Sequence, residues 1–179
     1  MEQYTATRQN RDGIWNILGH ESIMSRIKEG IKKAKHRILL EIWEEDALEL
    51  KEDLQKASRN GVEILIVAYG EIDFDFAKVY CHDMSEQITS EYGGRWVVFS
   101  ADDREVVAGI ISLGSESRAA WTMHTGLVMP ITEVIIHDMY IMEILREFRG
   151  QLEEKFGPDL SDLRKKFMIE PLGKKYYRP

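Results

Sequence analysis

From about residue 20 onward the apolar residues fall into alternating blocks of helical and strand spacing, whereas residues 1–12 are polar and unpatterned. Ile23, Ile27, Ile31 and Ala34 recur every three to four residues with Lys and Glu between them, which predicts an amphipathic helix over 20–35 whose periodic run begins at Ser22. "HRILLEIW" (36–43) is almost continuously apolar and predicts a strand buried on both faces of a sheet. Asp46 can cap a second helix, whose apolar positions Leu48, Leu50, Leu54 and Ala57 carry it to Arg59, where Asn60-Gly61 stops it. "VEILIVAYG" (62–70) is a second buried strand, so residues 37–69 predict a βαβ unit with parallel strands and a right-handed crossover.

Between 70 and 94 aromatic and acidic residues mix without a period, and the stretch admits a loop, a short edge strand and a turn of helix. "RWVVFSADDREVVAGI" (95–110) predicts two strands folded about an acidic turn, and "RAAWTMH" (118–124) a third after a turn at 113–117. Three strands with short connections should pair antiparallel and extend the parallel pair into a mixed sheet. From Thr125 to Lys155 the apolar positions of a long helix exceed one stripe, so it must be covered on more than one side, by its own domain or by another copy of the chain. Gly157-Pro158 breaks it, and Asp159 or Ser161 can cap a last short helix to Phe167. The expected organisation is a disordered or linker-like stretch over 1–12, one domain over 13–168 and a polar tail over 169–179.

Composition narrows the function classes. A chain of 179 residues, 44% hydrophobic and 31% charged, can bury one core. Its net charge of -7 argues against direct contact with nucleic acid, which depends on Lys and Arg neutralising phosphates. One cysteine, Cys81, excludes an internal disulfide and fits the cytoplasm, and no run approaches the ~20 apolar residues of a membrane span. The phosphate-loop, dinucleotide, nucleophile-elbow and zinc motifs are missing, and the five histidines are spaced so that no two share a helical face, so no cofactor or metal is expected. Adjacent side chains in Cys81-His82-Asp83 point apart in extended structure, which favours a buried Cys beside a structural His over a catalytic set. Asp102 and Asp103 could form an acid/base pair, but Asp-Asp before Arg-Glu is ordinary turn chemistry.

The order of these parts, a βαβ unit, a hairpin, a strand and a long helix, resembles a phospholipase D-like domain, which implies an α/β fold with a mixed sheet flanked by helices. Setting that family's hairpin Asp on Asp102 places its Gly on Gly109, but its His falls on Arg95, its Lys on Val97 and its Ser on Ile110. The scaffold is present without the nucleophile. "IWNILGHESIMSRIKEGIKKAKHRILLEIW", "LQKASRNGVEILIVAYG", "GGRWVVFSADDREVVAGI" and "AAWTMHTGLV" are similar to the carboxyl-terminal effector domain of TrmB-like transcriptional regulators, over residues 13–150. That resemblance implies a domain that senses a small molecule such as a sugar and helps form a homodimer, with the winged helix trimmed away or never present.

In open α/β sheets ligands bind beyond the carboxyl ends of the parallel strands. Those ends carry Trp43 and Glu44 after the first strand and Tyr69 and Glu71 after the second, and Trp121 and His124 lie on the strand expected to close the sheet nearby. Trp43, Glu44, Tyr69, Trp121 and His124 are therefore the candidate ligand residues, since aromatic faces cover sugar C–H patches while carboxylates accept hydroxyl hydrogens. Each has a plainer reading: the rings as core, Glu44 as a solvated acid opening a helix and His124 as a polar strand end. The expected function is ligand sensing and dimerisation without catalysis. Its rivals are a phosphodiesterase using His82 or His124 with Asp102, and a purely structural dimer module.

Overall fold

The computed structural model describes residues 13–82, 94–112 and 116–167. The expectations for residues 1–12, for Asp83, for turn residues 113–115 and for the tail over 169–179 fall outside them. Among the described residues the chain runs β1 (Ile14–Leu18), α1 (His20–Lys33), β2 (Arg37–Trp43), α2 (Glu44–Arg59), β3 (Glu63–Tyr69), β4 (Lys78–His82), β5 (Gly94–Ala101), β6 (Glu105–Ser112), β7 (Arg118–Thr122), α3 (Thr125–Phe156), a 3-10 turn (Pro158–Leu160) and α4 (Ser161–Phe167).

One mixed sheet of order β1-β7-β6-β5-β2-β3-β4 organises the domain. β2, β3 and β4 are parallel, and β5, β6 and β7 add to β2 as an antiparallel meander. The βαβ unit and the mixed sheet stand as the sequence predicts. Two strands lacked a clear signal: "IWNIL" closes the sheet as edge strand β1, antiparallel to β7, and "KVYCH" closes the other edge as β4.

Strand parity divides the apolar residues between two faces. On one, Ile38, Leu40 and Ile42 of β2 and Ile64, Ile66 and Ala68 of β3 meet Ile23, Ile27 and Ile31 of α1 and Leu50 and Leu54 of α2, with Phe99 fully buried among them. On the other, Leu39 and Val67 meet Ile135 and Met139 of α3. Both faces of β2 are thereby covered, which is why its sequence lacks alternation.

Local details correct three expectations. Helix α2 begins at Glu44, so Asp46 sits inside its first turn rather than capping it, and its carboxylate is buried against Arg95 and His20. Leu48 points to solvent, and Ala47 takes its place in the buried stripe. Cys81 is exposed, because β4 is an edge strand with no further strand beside it among the described residues.

The Asp102-Asp103 turn is structural. Both residues have positive φ (53° and 54°) and the Arg104 N–H donates to Ala101 O, a tight hairpin reversal. The Asp102 carboxylate accepts backbone N–H bonds from Lys35, His36 and Arg37 at 2.8–2.9 Å, tying the hairpin to the start of β2. Partial burial pulls its pKa up, but these three donors outweigh that and hold it below the ordinary value.

Candidate functional site

The upper end of the sheet, where the parallel strands finish, carries a row of rings set by register. Trp43 pairs with Tyr69 and Tyr69 with His82, so the three rings lie side by side on the α3 face. Trp43 and Tyr69 stack at 4.9 Å between centroids, and Tyr69 and His82 stack at 4.9 Å with planes only 1° apart. Trp96 of β5 meets Tyr69 edge-on at 5.2 Å and Trp43 at 6.4 Å. Beneath this row lies Glu41, 4% exposed. Its Oε1 accepts both the Tyr69 hydroxyl at 2.8 Å and the Trp96 indole N–H at 2.6 Å. From α3, Asp138 reaches to 4.0 Å from His82 Nε2.

Burial raises the pKa of Glu41 against the two hydrogen bonds that lower it, and the Asp138 charge raises it further. Asp138 is raised too, chiefly by burial, and Tyr69 is raised by burial and by the adjacent Glu41 carboxyl. The Trp43 indole N–H is buried with no hydrogen-bond partner among the described residues, in a protein class where such groups are rare. The site thus combines flat apolar faces, one buried and one partly exposed acid, an imidazole and one unsatisfied donor.

For an acid whose folded pKa is raised, the associated stability is fully present below the unfolded pKa and is lost as pH rises through the folded one. Glu41 and Asp138 should both make the fold less stable as pH climbs above the ordinary carboxylate range. A Glu41→Gln variant keeps an acceptor for Tyr69 and Trp96, and its midpoint of thermal unfolding should vary less between pH 4.5 and 8 than that of the parent. Parallel midpoint curves would show that Glu41 titrates no differently in the folded and unfolded chain.

The structure brings together only part of the predicted set. Trp43 and Tyr69 share the ring row. Glu44 lies beside them, its Oε2 accepting the Glu71 N–H at 3.1 Å. Gly70, at φ 105°, keeps the space above it clear, since a Cβ there would lie 2.8 Å from Glu44 Oε2. Trp121 and His124 are elsewhere. β7 is separated from β2 by β5 and β6 and runs antiparallel to it, so its end points to the opposite end of the sheet from Trp43. Trp121 also faces α1. There the Arg26 guanidinium lies 4.1 Å over its ring, its indole N–H donates to Glu105 at 2.8 Å, and Trp15 packs at 4.5 Å. His124 is the N-cap of α3, its Nδ1 accepting the Gly126 N–H. The constellation of His82 with Asp102 is likewise not formed, since they occupy opposite ends of the sheet.

Glu41, Trp96, His82 and Asp138 complete the site and were not predicted as ligand residues. Glu41 did carry a signal: it is the lone acid inside the apolar run of β2, where a buried charge demands partners.

The sequence pattern of the family described as transcriptional regulator TrmB, effector-binding domain, N-terminal subdomain matches residues 13–119. The chain belongs to the TrmB family. It is 58% identical over 176 residues to the Bacillus subtilis protein YrhO, which bears the name "uncharacterized", covering 98% of this chain and 64% of that protein. Among solved structures it is similar to TrmBL2, an archaeal chromatin protein that binds DNA, at a TM-score of 0.57 and 16% identity, over 78% of this chain and 62% of that one. It is also similar to NucT of Helicobacter pylori, at 0.51 and 12%, over 70% of this chain and 95% of that one. A phospholipase D family member, Nuc of Salmonella typhimurium, superimposes at 0.48 and 14% over 70% of this chain and 93% of that one. The TrmB domain thus has a mixed α/β sheet of the kind found in TrmBL2 and NucT. No helix among its described residues is long and apolar enough to cross a membrane.

Proposed function

We propose that this TrmB-family domain is a non-catalytic sensor that binds a small polar molecule, such as a sugar, at the ring row and works as a homodimer. The observation that carries the ligand reading is the buried, unsatisfied indole N–H of Trp43 beside the Glu41–Tyr69–Trp96 network, at the carboxyl ends of the parallel strands. Trp96, His82 and Asp138, all partly exposed, are the groups a ligand meets first. The buried Trp43, Tyr69 and Glu41 hold them in place and offer the free donor.

Dimerisation is supported by α3. Val134, Ile141, Ile144 and Phe148 are 48–55% exposed and occupy a and d positions of a seven-residue repeat, the spacing by which two helices seat against each other.

Thermal unfolding with a panel of sugars and polyols tests the ligand reading. A ligand at a hundred times its Kd should stabilise the protein by about 2.7 kcal/mol. Trp43→Phe, which keeps a ring and deletes the N–H, should lose most of that shift, whereas Trp121→Phe should keep it. A panel without any saturable shift, or a shift that survives Trp43→Phe, sinks this placement. Sedimentation of Ile141→Asp/Phe148→Asp should show a monomer where the parent shows a dimer.

A further inference from the structure

A groove of about 800 Å³ adjoins the ring row at His82 and extends from it between the outer edge of β4 and the second half of α3, where the 3-10 turn and α4 close one end. That volume is in the range of roughly 300–1,000 Å³ used for small ligands. Leu145, Leu160 and Leu163 form apolar walls, and all five residues of β4 line the other side. Lys78, Arg146 and Arg149 stand on its lining against a single acid, Asp159, in a chain whose overall charge is -7.

From this geometry we propose that the groove binds an amphipathic anion, an aliphatic chain ending in a carboxylate, with the chain against the leucines and the carboxylate among the three cations. Each cation is held in surface ion pairs. Lys78 and Arg146 share one carboxylate, Glu143, and Arg149 leans on Glu153 and Asp159 at 3.4 and 3.5 Å. These three side chains are 57%, 73% and 47% exposed, so their pairs are of the surface kind that exchanges partners at little cost. A guanidinium takes a carboxylate in a two-point grip, and a leucine-walled channel rejects a sugar while accepting a hydrocarbon. The edge of β4 adds peptide groups that pair with no neighbouring strand among the described residues. His82 lines the groove and also stacks on Tyr69, so an occupant would touch the last ring of the row.

The experiment is titration calorimetry of the intact chain with decanoate below its micelle concentration, alongside decanol and decyltrimethylammonium at the same concentrations. Decanoate should bind saturably at one per chain. Decanol should bind at least tenfold more weakly and the ammonium not detectably. Arg146→Glu/Arg149→Glu, at exposed helix positions that do not disturb the core, should abolish decanoate binding, and Trp43→Phe should leave it intact. That last arm separates this site from the ring row, so either can fail alone. Equal binding of all three amphiphiles, no saturable decanoate binding, or binding unchanged in the double charge reversal overturns the proposal. So does failure of decanoate combined with protection of the β4 amides by an extended acidic peptide, which would assign the groove to strand addition.

Discussion

Replacing Gly109 with Val should destabilise the domain by about 3–4 kcal/mol, read as a midpoint of thermal unfolding lower by roughly 10 °C for a chain of this size. Gly109 of β6 pairs with Ala119 of β7, and a Cβ there would fall 2.3 Å from Arg118 O, 2.4 Å from Ala119 Cβ and 2.5 Å from Ala119 Cα. Two of those neighbours are backbone and the third is a Cβ, so no flexible side-chain end can swing aside. Relief must come from parting β6 and β7, which also loosens the Trp121–Glu105 bond and the seat of edge strand β1 on β7. Gly109→Ala should show a smaller loss in the same direction. A Val variant with the parent's midpoint would mean that β7 is not held at this distance. Gly109 coincides with a glycine of the phospholipase D-like hairpin, and close strand packing is sufficient to require it here.

How much of this could be read beforehand follows from what each signal depends on. The βαβ unit was legible because Ile38, Leu40, Ile64 and Ile66 are buried by their own helices, a local arrangement that composition reports. Strand β1 was not, because Ile14 and Leu18 are 60% and 52% exposed and only Trp15 and Ile17 turn inward, too few residues to show alternation. The same holds for β4, whose exposed Cys81 and Lys78 follow from its edge position. The candidate site was half legible. Trp43 and Tyr69 follow from the rule on parallel strand ends, but the end at which Trp121 lies depends on the number of chain reversals before β7. With β5 antiparallel to β2, the meander returns β7 to the direction of β5, and its carboxyl end can only lie at the opposite end of the sheet. Trp96 escaped because it begins its strand, and on an antiparallel neighbour a strand's beginning lies at the same end as the ring row.

The second large effect is expected at Asp46. Its carboxylate, 3% exposed, takes a two-point bond from Arg95 at 2.8 and 3.1 Å and a third contact from His20 at 3.2 Å. Asp46→Ala leaves the guanidinium of Arg95, itself 17% exposed, without its counter-charge and should cost about 3 kcal/mol, the lower end for breaking a buried pair by removing one partner. That loss reports a stranded charge more than the worth of the pair. The double variant Asp46→Leu/Arg95→Met removes both charges together and should recover most of it, within about 1 kcal/mol of the parent. Chemical denaturation of the three proteins checks this directly, and a double variant as unstable as Asp46→Ala would refute it. Arg95 occupies the position where the phospholipase D-like hairpin carries its histidine. A cation locked by two bonds to a buried acid has no free lone pair for nucleophilic attack. Recovery in the double variant would show that α2 and β5 stay joined by their packing once neither charge is left stranded.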